Sequence, residues 1–435
     1  MAVVKRIELS DGMRTIIRAF QPEELNEDNF DAFYYDKTMD IRMGYKGDSP
    51  MDNLFDDCTT PLAKNAHLLS GHRGCGKSTE LFALKRRLEE AGHPVCIIYC
   101  QSEMNMDLAD CWDIMLLISE GLCLIADEKG IGLPDDLVGD MFSYILQDVE
   151  ASEEFTQATN INIGLVLSLI ASIKSGLQMG DTQRITLKTK MERRGSDWRR
   201  YVDEISNIIT DDMQGKQPIL IFEDLDKIEP SNRALDIFRY NMLTKMKFPV
   251  IYTFPIAEVY NPRFAALKGL YKTHKLPMIK VRNIDKTENE VGIGVIRKII
   301  DKRADLRFFD DRALDLLITQ TGGVLRHLFE CILTACRITI RIENTKIEAD
   351  EAKRALEGLT SDLMTRIPMT DNRMLINIYE DTNYKKQLEE TSSVLQHMHG
   401  LVVLEYQNGE RWHDLHPLVA DFLKKRGAIG GSRSD

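Results

Sequence analysis

AHLLSGHRGCGKSTELFALKRRLEE, residues 66–90, is the stretch on which the reading of the fold turns. The apolar run Ala66 to Ser70 predicts a short buried strand, a glycine-rich turn follows, and Ser78 to Glu90 carries helical spacing that Gly92 ends. Gly71, Gly76, Lys77 and Ser78 occupy every fixed position of a GxxxxGK[ST] phosphate loop, set between a strand and a helix as that loop requires. Glycines let the backbone curl tightly and turn its N–H groups inward with no Cβ in the way. The following helix adds its positive end. Lys77 would neutralise phosphate charge and the Ser78 hydroxyl would ligate Mg2+, with ATP the expected nucleotide. The loop residues Gly71, His72, Arg73, Gly74, Cys75, Gly76, Lys77 and Ser78, with Thr79, are therefore the expected nucleotide-binding set.

Working outward, Val95 to Cys100 (VCIIYC) predicts a second buried strand and closes one βαβ unit. Further strands are expected at Pro218 to Phe222, Pro249 to Phe254 and Leu276 to Val281. Five such runs predict a doubly wound parallel α/β sheet of P-loop type. Between the second and third strands lies a mostly helical insertion, about 101–216. It holds Met104 to Lys129, a segment around Asp135 to Glu150, the apolar window Ile161 to Ile173 and a charged run from Arg184 to Asp212. The apolar window is shorter than the roughly 20 residues that span a bilayer, and Lys174 closes it, so no membrane span is expected.

The core is expected over 65–284, with residues 1–64 as a lead-in wrapping it. An all-α lid follows over 285–368, where apolar residues keep helical spacing. Helices around Arg373 to Glu380 and Tyr384 to His399 precede Leu401 to Tyr406, an Asn408-Gly409 turn and Arg411 to Leu415. Asn-Gly between strand-like runs predicts a hairpin, and two helices before a hairpin predict a winged helix over 369–426. Residues 427–435 are expected to form a flexible tail.

The apolar run Ile219 to Phe222 ends in Glu223, Asp224 and Asp226. One carboxylate there can hold Mg2+, directly or through its water, while a neighbour orients the attacking water. Counting from the strand gives Glu223 the metal position and Asp224 the catalytic one; the two roles can be exchanged, and Asp226 can instead be a structural cap. Thr253, near the end of PVIYTF, can touch the γ-phosphate or the attacking water. Arg326, one turn into a helix that begins after Gly322-Gly323, can reach the γ-phosphate and couple nucleotide state to domain orientation.

The 435 residues exceed what one core usually supports. A net charge of −12 argues against charge-driven binding to nucleic acid or an anionic membrane. Between Asp371 and Arg426 nine acids stand against seven Lys/Arg, which fits a protein-docking module better than a DNA reader. The Arg193-Arg194 and Arg199-Arg200 pairs alternate with acids and read as a solvated face. The N-terminus lacks a secretory pattern, so a cytoplasmic protein is expected. Eight cysteines form no CxxC pair, and no zinc set is expected.

Together HLLSGHRGCGKSTEL, ILIFEDLDKI, PVIYTFP and TGGVLRHL resemble the signal-transduction ATPases with numerous domains, the STAND group, and the origin-recognition-complex-like AAA+ ATPases. With LPMIKV and HPLV, the same words resemble a bacterial subgroup over about Asp40 to Leu423. The resemblance implies Walker A, Walker B, sensor 1 and sensor 2 elements in that order. It further implies a nucleotide-dependent switch or motor that works as an oligomer or through a protein effector, with anti-phage defence as one setting. Asp40-Ile41-Arg42 resembles the upstream box of such ATPases, which implies that Arg42 contacts the base. Glu223 departs from the usual aspartate. No arginine finger is assigned, Arg233, Arg239 and Arg263 being candidates by position. A second reading is a DNA-acting loader or transposition-type regulator whose winged helix reads duplex DNA, and the Glu223-Asp224 order leaves a third, a nucleotide-stabilised scaffold with little turnover.

Overall fold

The computed structural model describes residues 5–47, 49–60, 64–134, 195–380 and 392–429, with isolated residues between 137 and 192. Most of the segment around Asp135 to Glu150 and most of the Ile161 to Ile173 window lie outside the described residues, as do the first part of the Tyr384 to His399 helix and most of the tail. The chain divides into two compact units. One comprises Met1–Pro50, Gly71–Phe82 and Lys275–Asp435; the other comprises Met51–Ser70 and Ala83–His274.

The second unit carries a five-stranded sheet of β1 (Ala66–Gly71), β2 (Val95–Tyr99), β3 (Ile219–Glu223), β4 (Val250–Pro255) and β5 (Lys272–Lys275), in the order β2-β3-β4-β1-β5. β2 pairs parallel with β3 from Val95↔Ile219 to Tyr99↔Glu223, and β3 pairs parallel with β4. Strands β1, β3 and β4 are buried along their whole length, which is why they read as continuous apolar runs rather than alternating ones. The α/β sheet is thus as expected, with one correction. The fifth strand is the polar segment Lys272–Lys275, and Leu276 to Val281 joins no sheet. Pro277 has no N–H to donate to a ladder, and this run is buried as a connector instead.

Two helices from the insertion, α3 (Cys111–Lys129) and α4 (Gly195–Asp212), belong to the core of this unit. Helix α3 starts at a capping box in which Asp110 accepts from the Trp112 and Asp113 amides, and it stops at left-handed Gly130. It lies so close on the sheet that a Cβ at Gly121 would sit 2.9 Å from Ile98 and 3.0 Å from Leu220. Trp198 of α4 donates from Nε1 to Ser119 of α3 at 2.9 Å. Ahead of β1 stands α1 (Pro50–Thr59), and α2 (Lys77–Glu90) follows the phosphate loop.

Among the described residues the body of the other unit is helical, with one hairpin. Helices α5 (Glu290–Arg303), α6 (Asp311–Gln320), α7 (Leu325–Arg341) and α8 (Ala349–Met364) occupy the expected lid span. Beyond them come α9 (Asn372–Glu380), α10 (Ser392–His399), an antiparallel pair β6 (Val403–Asn408) and β7 (Glu410–Leu415), and α11 (Pro417–Lys425). Gly409, at φ 72°, makes the turn as the Asn-Gly pair predicts. The N-terminal residues join this unit: the Ile7 N–H donates to the Arg303 carbonyl at 2.8 Å, and Arg303 Nη1 donates to the Ala19 carbonyl at 2.6 Å. Among the described residues no helix is long and apolar enough to cross a membrane.

The connector Leu276 to Val281 is held by the glycine that precedes α7. Gly323 has φ +82°, and a Cβ there would lie 2.0 Å from the Ile279 carbonyl oxygen. A Gly323→Ala change combines left-handed strain with overpacking. It is expected to lower the free energy of unfolding by about 2–5 kcal/mol, read as a shift in the urea midpoint.

Candidate functional site

Strand β1 runs directly into the loop Gly71 to Gly76, and α2 begins at Lys77. Gly74 and Gly76 take φ 73° and 98°, the left-handed region that glycine tolerates and other residues resist. The Glu80 N–H, which donates to the Gly76 carbonyl at 3.1 Å, closes the first helical turn. The amides ahead of it have no acceptor in the helix by construction, which suits an anion. A Cβ at Gly74 would meet Arg326 Cβ at 2.7 Å, and one at Gly71 would meet the Leu276 carbonyl at 2.9 Å. The loop therefore has the glycines a phosphate cradle needs at the places where it needs them.

Turning N–H groups toward one side of the loop turns carbonyls toward the other, and those of Gly71, His72, Gly74 and Cys75 find donors. Lys77 Nζ donates to the carbonyls of Gly71 at 3.0 Å and His72 at 3.1 Å. The Arg326 N–H reaches the Gly74 carbonyl at 3.3 Å, and Arg42 Nη2 reaches the Cys75 carbonyl at 2.8 Å. Arg42 is 1% exposed and also donates to the Pro277 carbonyl at 2.6 Å. Glu80 lies buried near it, accepting from Thr38 at 2.9 Å and Tyr34 at 3.1 Å. Burial raises the Glu80 carboxyl above its ordinary value, and Arg42 opposes that rise. The structure thus places the guanidinium of Arg42 on the backbone of the loop. Arg326 meets the loop through its own backbone, at the N-terminus of α7.

His72 is 1% exposed, and its Nε2 accepts the backbone N–H of Glu405, on β6, at 2.8 Å. Glu405 is itself buried, with Lys275 Nζ at 3.3 Å and His413 Nε2 at 3.5 Å from its carboxylate. Desolvation pushes the His72 imidazole down to about 3, Glu405 opposing. A neutral ring is what the acceptor role at Nε2 demands. Neither Glu80 nor the Glu405 contact was legible beforehand, because nothing in the spacing of 42, 80 and 405 couples them.

The acid-bearing strand belongs to the other unit. Glu223 and Asp224, 3% and 5% exposed, end β3 side by side. Asp224 has φ 71°, a left-handed conformation that aspartate tolerates better than most residues. Its carboxylate pairs with Lys227 Nζ at 2.5 Å and accepts the Gln101 N–H at 3.4 Å. Thr253, fully buried, donates from Oγ1 to the Phe222 carbonyl at 3.1 Å and accepts the Leu225 N–H at 3.0 Å. Its hydroxyl therefore braces the backbone on both sides of the two acids. Asp226 sits inside the short 3-10 turn Leu225–Lys227, whose cap position is Asp224. Of the finger candidates, Arg233 donates to the carbonyls of Glu229 at 3.0 Å and Ala109 at 2.9 Å, Arg263 pairs with Asp236, and Arg239 is exposed.

No protein-family model matches the chain, and no curated protein does. Among solved structures it is similar to Cdc6p from Pyrobaculum aerophilum, at 12% identity over 93% of this chain and 99% of that one, with a TM-score of 0.39. It is also similar to the ADP form of the ORC2 protein from Aeropyrum pernix, at 11% identity over 94% and 96%, with a TM-score of 0.43. The RuvB Holliday junction branch migration motor of Thermotoga maritima follows at 10% identity over 88% and 98%, with a TM-score of 0.34. Likeness of this degree bears on no residue and on no activity.

Two outcomes are expected. Arg42→Ala leaves the Cys75 and Pro277 carbonyls and the Glu80 carboxyl without their buried cation, and should cost about 3–5 kcal/mol in urea unfolding. His72 and His327 fall from 6.5 to about 3 and about 4 on folding. In that interval the unfolded chain binds protons that the folded chain does not, so their contribution is complete above about pH 6.5 and is lost as pH falls. Each removes about 1.4 kcal/mol per pH unit across its window. His72→Gln should flatten the decline measured by urea midpoints from pH 7 to pH 5; an unchanged slope would contradict the assignment.

Proposed function

We propose that the chain is a nucleotide-dependent regulatory ATPase that binds Mg-ATP through Gly71 to Thr79. The observation that carries this reading is the loop itself: left-handed Gly74 and Gly76, with Lys77 and the amide-rich start of α2 directly after them. Lys77 takes phosphate charge, exchanging its two loop carbonyls for anionic oxygens, and Ser78 presents a metal-binding hydroxyl. Ser78 would hold Mg2+ together with a carboxylate, and the ion would supply charge neutralisation for the phosphates. Glu223 and Asp224 are the residues proposed to serve that ion and the attacking water. Asp224, fixed by Lys227 and by the Thr253-braced turn, is the better candidate for orienting water, and Glu223 for the metal. Thr253 acts as a positioning residue. Arg326 is proposed to carry nucleotide state into the helical domain from its place at the start of α7.

Regulation rather than bulk turnover is supported by what holds the loop. Its carbonyls and His72 are bonded to Arg42 from the N-terminal segment, to the start of α7 and to the β6 strand of the C-terminal hairpin. A ligand that redraws those bonds changes three elements at once. α9, α10 and the hairpin are read as a winged helix that docks protein, with self-association or an effector as the output and the cytoplasm as the setting. Anti-phage defence is the biological role the resemblance suggests.

Purified protein should hydrolyse ATP in a Mg2+-dependent way, and Lys77→Ala and Asp224→Ala should each reduce turnover by about 100-fold or more. Light scattering after size exclusion should track ATP against ADP and ignore added duplex DNA. ATP binding with no turnover under any condition would reduce the protein to a nucleotide-stabilised scaffold. Stimulation by DNA would favour the DNA-acting reading.

A further inference from the structure

A second group of ligating side chains, none of them among the residues assigned above, stands in the sheet unit. On β1, Ala66 and Leu68 enter the main apolar core, so His67, between them, faces the opposite side of the strand. β5 is the neighbour of β1 in the sheet and carries His274, while Asp57 comes from the last turn of α1. Asp57 Oδ2 lies 3.5 Å from His274 Nε2 and 3.9 Å from His67 Nδ1, and the three ligand atoms all lie within 4.8 Å of one another. Lys272 Nζ holds the other carboxylate oxygen, Oδ1, at 2.7 Å, which leaves Oδ2 aimed at the two rings.

The independent observation is His67. It is 0% exposed, and neither of its ring nitrogens has a hydrogen-bond partner; His274 Nε2 has none either. A neutral imidazole has one N–H and one lone pair, and native interiors rarely leave both unsatisfied. Three donors around one point supply the alternative: a tetrahedral ion with bonds of about 2.0–2.2 Å sets its ligands roughly 3.3–3.5 Å apart, against 3.5 and 3.9 Å from Asp57 to the two rings and at most 4.8 Å between the rings here. Burial also keeps both imidazoles neutral and their lone pairs available, desolvation being the first cause in each case.

We propose that Asp57, His67 and His274 form a site for a divalent transition-metal ion, zinc by preference. Two nitrogens and one oxygen suit zinc, cobalt or nickel and disfavour Mg2+ and Ca2+, which want oxygen shells. Asp57 keeps 20% of its side chain exposed, so the ion has a route in and a place for a fourth ligand, water or an incoming group. Lys272 orients the carboxylate from behind, as an outer-shell partner does, and its charge sets an upper limit on affinity. The site is built on the strand that leads into the phosphate loop, with His67 four residues ahead of Gly71, and it does not depend on ATP being the nucleotide.

The test uses the full chain stripped with EDTA and titrated with Co2+ followed by absorption, then with Zn2+ in competition. One equivalent with tetrahedral cobalt bands, displaced by Zn2+, is expected. Asp57→Asn and His274→Gln, both at partly accessible positions, should each weaken binding by more than about 100-fold. Lys77→Ala should leave it unchanged, which separates this site from the Mg-nucleotide site. Absence of tetrahedral cobalt bands, or cobalt affinity untouched by Asp57→Asn and His274→Gln while circular dichroism shows both variants folded, would overturn the proposal.

Discussion

A peptide plane that points its N–H one way points its C=O the other. A loop that gathers amides on its inner side must therefore push carbonyls outward, and in a buried setting each of those carbonyls needs a donor. This constraint organises the helical unit. Lys77, Arg42 and the Arg326 amide of α7 are donors, the last two from parts of the chain far from the loop in sequence. Arg42 in turn needs charge compensation, which explains a buried glutamate at position 80 with two hydroxyls on it.

The acid strand obeys a different rule. β3 is apolar because it is buried on both faces, and its polarity begins at the residue where the strand stops. The left-handed turn at Asp224 and the two bonds of Thr253 then fix how the carboxylates leave the sheet. A threonine suits this task since its hydroxyl donates and accepts at once, from a neighbouring strand, without an added charge.

Local patterns were readable from residues alone where the physics is local. Loop glycines, the apolar runs of β1 to β4 and the Asn408-Gly409 hairpin all follow from neighbours in sequence. Leu276 to Val281 misled because apolar character reports burial and not hydrogen-bond pairing; the polar KTHK segment is the strand. Placement of Arg42 on the loop backbone, of Thr253 on the β3 backbone and of His72 under Glu405 could not be read, since each bond spans tens to hundreds of residues. The Asp57, His67 and His274 group escaped for the same reason: only sheet order brings 67 beside 274.

The bond from the Glu405 amide to His72 has a consequence for biosynthesis. During translation the glycine loop is made early, while the Glu405 amide that donates to His72 follows it 333 residues later. A nascent chain can form the strand and curl the glycines, yet His72 keeps an unmet acceptor until the hairpin arrives. The loop thus waits on the C-terminal hairpin, and a chain truncated before β6 would lack that bond.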